Sequence, residues 1–393
     1  MSQLLNERWS ETKDALLEGL TGNRRASMGV CLENTRRSLS ESATAGATSA
    51  GNIATLNRVI LPVIRRVMPT VIANEIIGVQ PMTGPVGQIH TLRVRYADGV
   101  ASGDVVSAGE EALSPFKIAA AYSGNNSATP GASPTATLEG TPGKRMSIQI
   151  LKTPVEAKSR KLSARWTFEA AQDAQAQQGI DIEAEIMAAL AQEITAEIDQ
   201  EILSSLRGLA TVEETYDQAL VSGTATFVGD EHAALAIQIN RVSNLIAQRT
   251  RRGSGNWAVV SNQALTILQS ATTSAFARTT EGTFEAPTNT KFVGTLNGAM
   301  RIYVDAYLSD TVDNNQVLIG YKGTSEADAA AFYCPYIPLM SSGVVLDPAT
   351  FEPVVGFLTR YGYVELSNTA SSLGNAADYL GKVAITSANV SFK

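Results

Sequence analysis

The stretch DIEAEIMAALAQEITAEIDQEILSSL, Asp181 to Leu206, decides the fold class. Ile182, Ile186, Leu190, Ile194, Ile198, Ile202 and Leu206 recur at intervals of four, with no proline or glycine among them. Each step of four overshoots a full turn by about 40°, so the apolar stripe winds around the helix and several neighbours must bury it in succession. At 1.5 Å per residue this helix is about 39 Å long, well above the usual length. Asp181 is placed to cap its start, and Glu183 and Glu185 lie at its positive end. Such a helix is the spine of a domain.

Upstream, Leu162, Ala164, Trp166 and Phe168 alternate with Ser163, Arg165, Thr167 and Glu169, a strand pattern. A similar alternation from Gln88 to Tyr96 puts His90, Leu92, Val94 and Tyr96 on one face. Between them, residues 123 to 143 (SGNNSATPGASPTATLEGTPG) hold no lysine or arginine and read as a loop tip. Residues 96 to 165 are therefore expected to form a long two-stranded excursion, which is marginal in water unless it rests on something. Further upstream, Ile53 to Ile72 has helical spacing interrupted by Pro62 and Pro69, which predicts a kinked or divided helix. Ser38 to Asn52 is nearly all Ser, Ala, Thr and Gly and reads as a flexible arm, and residues 1 to 20 as a short amphipathic helix.

Downstream, a second helix is expected over about 231 to 249, a strand at 257 to 261 and a helix at 262 to 270. Strands follow at Met300 to Val304, Gln316 to Tyr321, Ala331 to Tyr336, Val354 to Tyr363 and about 382 to 392. The class is mixed α+β, in two or three compact units for 393 residues.

Composition excludes several functions. With 31 basic and 38 acidic residues the net charge is −7, which argues against tight phosphate binding and hence sequence-specific DNA or RNA recognition. There is no apolar run of membrane-spanning length and no secretion signal, so a soluble, cytosolically made chain is expected. Cys31 and Cys334 are too few for a disulfide framework or a zinc site and are expected to be reduced and structural. Charged residues make up only 18 %, and a charge-poor surface suits one destined to meet other protein.

Candidate chemistry is sparse. His90 is expected to be a satisfied structural side chain, and His232, beside Glu231 at a helix start, a surface residue; two histidines do not supply a triad or a histidine-rich metal site. RRGSGNW, Arg251 to Trp257, lacks the spacing of a phosphate cradle and reads as a helix-to-strand turn. Glu213 and Glu214 read as a solvated loop. The basic pairs Arg24 and Arg25, Arg36 and Arg37, Arg65 and Arg66, and Arg251 and Arg252 lack interleaved aromatics and are expected to contact other protein subunits. No catalytic, cofactor-binding or metal-ligating residue is assigned, and no cofactor is expected.

A collinear series of motifs carries more. IGVQPMTGPVG (Ile77 to Gly87), VEAKSRKLSARWTFEAAQD (Val155 to Asp173), RRGSGNWAVVSN (Arg251 to Asn262), MRIYVDAY (Met300 to Tyr307), GYKG (Gly320 to Gly323), YCPYIPL (Tyr333 to Leu339) and FEPVVGFLTRYG (Phe351 to Gly362) occur in order. Together with the spine helix they resemble the major capsid proteins of T-even-type tailed bacteriophages, which have the HK97-like fold. The resemblance implies an N-terminal helix and flexible arm over 1–54, a helical segment over 55–95 leading into the peripheral domain, and an extended loop over 96–165. It further implies a peripheral domain with the spine helix over 166–219, a mainly axial domain over 220–340, and a return to the peripheral domain with a C-terminal strand over 341–393.

The implied function is a non-enzymatic shell subunit forming hexamers and pentamers of an icosahedral virion head around double-stranded DNA, assembled in the host cytoplasm. Its implied partners are a decoration protein, portal, scaffold and prohead protease, with no membrane. That protease's preferred context, a hydrophobic residue two before Glu and a small residue after it, occurs at Leu39–Ser42 and Leu16–Gly19, with Glu41 and Glu18 at the cut. Retention of the N-terminal segment, as an inward-facing helix and arm, is nonetheless expected. Two alternatives stand beside this reading. One is a self-cross-linking subunit, as in some members of the wider fold, for which Lys117 and Lys144 are the loop lysines. The other is a decoration or fibre protein binding host surfaces, against which the long helix and 6 % aromatic content speak.

Overall fold

The computed structural model describes residues 9–10, 13–44, 71–99, 108–109, 112, 122–124, 132–140, 143–179, 181–221, 228–250, 252–271, 276–278, 291–305, 307–308, 315–326, 328–350, 352–366 and 376–386. In chain order the main helices are α1 (Gly22–Thr44), α2 (Phe168–Gln178), α3 (Ile182–Leu209), α4 (Val228–Thr250) and α5 (Asn262–Ser270). The strands are β1 (Gly78–Val79), β2 (Val86–Tyr96), β3 (Met146–Glu156), β4 (Lys158–Arg165), β5 (Val212–Tyr216), β6 (Trp257–Val260), β7 (Phe276–Arg278), β8 (Lys291–Leu296), β9 (Met300–Val304), β10 (Gln316–Gly320), β11 (Ala331–Leu346), β12 (Pro353–Glu365) and β13 (Leu380–Ile385). The chain folds as two compact units, one from residues 1–87, 155–205 and 331–364, the other from 88–154, 206–330 and 365–393.

The first unit holds a four-stranded sheet in the order β1-β11-β12-β4. β11 is apolar on both faces, and every residue from Ala331 to Leu339 except Tyr336 is buried. Such a run needs cover on two sides. Helix α1 packs on β11 and buries Met28, Cys31 and Leu32. Asn34 donates from its amide to the carbonyls of Met82, at 2.6 Å, and Tyr336, at 3.0 Å. The spine helix α3 buries Met187, Ile194, Ile198, Ile202 and Leu203. Asp181 caps it as expected, accepting from the Glu183 amide at 3.1 Å.

The second unit holds a seven-stranded sheet in the order β5-β13-β10-β6-β9-β8-β7. β6 runs parallel to β9, and β13 to β5; β10 is antiparallel to β6 and β13. Alternate residues of each strand share one face, so Ala258 and Val260, Ile302 and Val304, Val317 and Ile319, and Val383 and Ile385 enter one core. Leu235, Ile239, Val242 and Ile246 of α4 and Ile267 of α5 join it. α5 is capped by Ser261, which accepts from the Ala264 amide. The unit also contains most of a two-stranded ribbon, β2 with β3.

Four parts depart from the expectations. The two-stranded excursion expected over 96–165 is instead the ribbon of β2 with β3, and Lys158–Arg165 leaves it to form β4, paired with β12. Ser38–Thr44 is helical, the end of α1, where composition suggested a flexible arm. Its upstream turns are anchored by buried side chains, and an established helix extends at one hydrogen bond per residue. Phe168 opens α2 rather than closing a strand, because Thr167 caps the Ala170 amide at 3.3 Å and ends the extended run. Thr135–Leu138, within the expected loop tip, forms one helical turn. The proline-interrupted segment up to residue 70 and the arm residues 45–52 lie outside the described residues. The expected final strand is Leu380–Ile385, with 387–392 outside them.

The turn from α4 into β6 needs its glycines for space. A Cβ on Gly253 would come within 2.6 Å of the Tyr321 ring, and one on Gly255 within 2.8 Å of Ile319. At Gly320 on β10 it would enter the Trp257 indole. Gly320→Ala is expected to cost about 1–3 kcal/mol through overpacking, seen as a lower denaturation midpoint at unchanged m-value.

Candidate functional site

Polar contacts of the first unit converge where α3 meets its sheet. Arg160 of β4 donates to Glu197 at 2.7 Å, to Glu201 at 2.6 Å and to the Tyr361 hydroxyl at 2.6 Å. Tyr361 in turn donates to Glu201. Partial burial works against ionisation of Glu201, but the hydrogen bonds from Arg160 and Tyr361 outweigh it and hold the carboxyl below its usual range. Burial, reinforced by the bond to Glu201, raises the Tyr361 phenol. Further along α3, buried Asp199 accepts from the Ile72 amide at 2.9 Å.

The second unit has its own ties. Arg207 pairs with Asp305, their side chains 12 % and 0 % exposed. Asp305 also accepts from the Tyr307 amide at 3.1 Å. Arg252 meets Asp328 at 2.5 Å, and the Tyr379 hydroxyl donates to Asp328 and that of Tyr321 to the Arg252 carbonyl, each at 3.3 Å. These groups clamp loops and strand ends. Among the described residues no group of His, Cys, Asp and Glu could hold a metal ion, and no helix is long and apolar enough to cross a membrane.

Three sequence expectations are corrected, the first being His90, which is not a satisfied structural side chain but stands in solvent on β2, where its neighbour Ile89 takes the buried position. His232 is not a surface residue: it is 1 % exposed, and Nδ1 lies 2.5 Å from the Ser270 hydroxyl. α4 begins before it, at Val228, so His232 shares a face with Leu235, Ala236 and Ile239 at helical spacing. Glu213 and Glu214 do not lie in a solvated loop but on β5, paired with Arg249 at 2.6 Å and Arg241 at 3.0 Å. Their partners come from α4, beyond the reach of a local reading.

Glu18 follows the helical residues 13–17 in a turn, and Glu41 lies within α1. The basic pairs make contacts inside the chain: Arg24 with Glu75, Arg36 with Glu33 and over the Trp9 ring, and Arg252 with Asp328. Arg65, Arg66, Arg251 and Lys117 lie outside the described residues. Cys31 and Cys334 are free and buried, and burial pushes both thiols up to about 12.

The β2/β3 ribbon has a different character. Asp98 accepts from the Arg145 amide at 2.9 Å and pairs with its guanidinium at 3.3 Å, while Lys144 donates to the Gly99 carbonyl at 3.0 Å. Tyr96 and Tyr122 pack with centroids 4.5 Å apart. Beyond this clamp β3 exposes Met146, Ile148 and Ile150 at 54, 67 and 61 %. An alternating apolar row in water is a surface awaiting a partner. Sequence reasoning passed over it, although M-S-I-Q-I carries the period-two signal.

The sequence profile of the family described as major capsid protein Gp23 matches residues 53–385. The chain belongs to this family. The major capsid protein of Vibrio phage KVP40 is 30 % identical, with 85 % of this chain and 81 % of the relative covered. That of Enterobacteria phage T4 is 29 % identical over 81 % and 76 %. Among solved structures, the capsid of Myoviridae phage XM1 is similar at a TM-score of 0.44 and 10 % identity, covering 78 % of this chain and 88 % of that one. The mature capsid of bacteriophage PhiM1 gives 0.43 and 12 %, covering 78 % and 83 %. Membership of the Gp23 family makes the chain a major capsid protein of a tailed phage, part of the virion head.

Two predictions follow from the ties just described. Glu201→Gln is expected to lower stability at pH 7 by about 1 kcal/mol, the pair being partly exposed. Because the folded carboxyl is depressed, its contribution is present above the unfolded pKa of about 4.3 and is lost as pH falls through the folded value. The gap between variant and parent in urea midpoint should therefore close on acidification below pH 4. Asp305→Ala strands the Arg207 cation and is expected to cost about 3–5 kcal/mol in the same assay.

Proposed function

We propose that this chain builds hexameric and pentameric capsomers that close an icosahedral head around double-stranded DNA, and that it does so without catalysis. The observation that carries this reading is the exposed apolar row Met146, Ile148 and Ile150 on a two-stranded ribbon. A bare ribbon is marginal in water, and burying such a row on a sister molecule supplies both its stability and the adhesion of the shell. The ribbon of β2 and β3, which overlaps 96–165, is the extended loop laid over a neighbouring copy. The unit built on α3 and the four-stranded sheet is the peripheral domain, and the seven-stranded sheet with α4 and α5 the axial domain. A net charge of −7 keeps the subunit from gripping packaged DNA.

Assembly in the host cytoplasm with a scaffold, a portal and a prohead protease, followed by reinforcement from a decoration protein, completes the reading. Electron microscopy of the expressed protein, alone and with a scaffold, tests it: closed shells or hexamer sheets are expected, and isolated monomers or trimers count against it. The triple variant Met146→Ser, Ile148→Ser, Ile150→Ser is expected to remain folded and soluble while shell yield collapses. Denaturing electrophoresis of particles should show a single band at the 41.6 kDa of the chain, whereas a ladder of multiples would point to self-cross-linking.

A further inference from the structure

Helix α2 has no buried face. Of residues 168–177 none is buried, and only Ala171 and Ala174 are half-covered, while Phe168 stands 47 % exposed. Its caps are good: Thr167 serves its first turn and Gly179, at φ 68°, ends it. Caps alone do not hold an eleven-residue helix, since isolated helices under about 12–15 residues are marginal in water and most helical stability comes from packing. α2 is complete only when something lies on it.

Charge says what that is. From Trp166 to Leu206 the chain carries nine acidic residues and no lysine or arginine; from Lys144 to Arg165 it carries seven basic residues and one acidic. On α2, Glu169 and Asp173 are exposed and four apart, hence on one face. The opposite sign lies on β4, at the edge of the four-stranded sheet. There Lys161 and Arg165 are exposed on one face of the strand, while Arg160 is turned to Glu197 and Glu201. Arg165 is 69 % exposed and only loosely paired, 3.8 Å from Glu352. Contact of α2 with a second α2 would set acid on acid. Contact of α2 with a second copy's β4 sets acid on base.

We propose that α2 of one copy docks against the exposed β4 edge of the next, placing Glu169 and Asp173 opposite Lys161 and Arg165 in a head-to-tail contact that repeats around a ring. The inference rests on the shell reading above. The contact uses different patches on its two sides, so rotation from copy to copy closes it into a capsomer instead of stopping at a dimer. Its charges are on the rim and steer encounter more than they add affinity, which makes ring formation salt-sensitive.

The test uses full-length chains with two different tags, one carrying Asp173→Cys and the other Lys161→Cys, mixed and oxidised during assembly. The native thiols are buried and contribute little background. A mixed-tag disulfide dimer is expected in the mixture and little cross-linking in either chain alone. In a second arm, Glu169→Lys with Asp173→Lys, and separately Lys161→Glu with Arg165→Glu, should each lower particle yield by about tenfold at unchanged circular dichroism and melting temperature. Combining all four should restore it. Particles that form without mixed-tag dimers, or reversals that leave the yield unchanged, overturn the contact while leaving the shell reading intact. If the unaltered chain forms neither capsomers nor particles with its scaffold, the shell reading falls and the contact with it. Cross-linking of Asp173→Cys to a different protein also overturns the contact.

Discussion

Helix α3 must be covered on a face that keeps turning, and the first unit is arranged to meet that demand. A stripe spaced by fours rotates by about 40° per step, so one flat neighbour cannot bury it. The structure answers with several attachments along its length. Asp199 takes the Ile72 amide, and Glu197 and Glu201 take Arg160 of β4 and, at Glu201, Tyr361 of β12. These charge-assisted bonds fix the helix in rotation as well as position. The sheet under it is defined by β11, whose two apolar faces need α1 on one side to be complete.

What the chain cannot satisfy within itself is as informative as what it can. Both units have dense cores, yet the ribbon keeps three large apolar side chains in water and α2 buries none of its residues 168–177. Neither is a state that a monomeric protein sustains at a profit in free energy. A subunit whose loose ends are complementary to its sisters converts these local deficits into adhesion. The low charge content noted in the sequence belongs to the same design, because desolvating charge at a contact is costly.

The fold was legible where period and capping agreed. α3, α4, α5 and the strands at β6, β9 and β10 follow from spacing, turn residues and caps, and their bounds shift by only a few residues. α1 was not legible, since Asn34, Thr35 and Ser27 are buried polar residues that break its apolar period, and the Met82 and Tyr336 carbonyls that Asn34 meets are distant in sequence. β8 was missed although Asn297 and Gly298, both at positive φ, mark its hairpin to β9. His232 and the Glu213 and Glu214 pair were misplaced for one reason: their environment is set by α4, whose start lay three residues earlier than the pattern suggested. The candidate contact surface was half visible. Its alternation is in the letters, but exposure is a property of the folded chain.

The position of β13 in the second sheet has a temporal consequence. This strand, Leu380–Ile385, is not an edge but lies between β5 and β10 and bonds to both. The first sheet likewise waits for β11 and β12, which supply its two inner strands. Neither layer can close while the ribosome still holds these segments, so each stays open until its late strand, β12 or β13, has emerged. The two sheets are thereby tied to neighbouring stretches of sequence, and neither unit is finished much before the other.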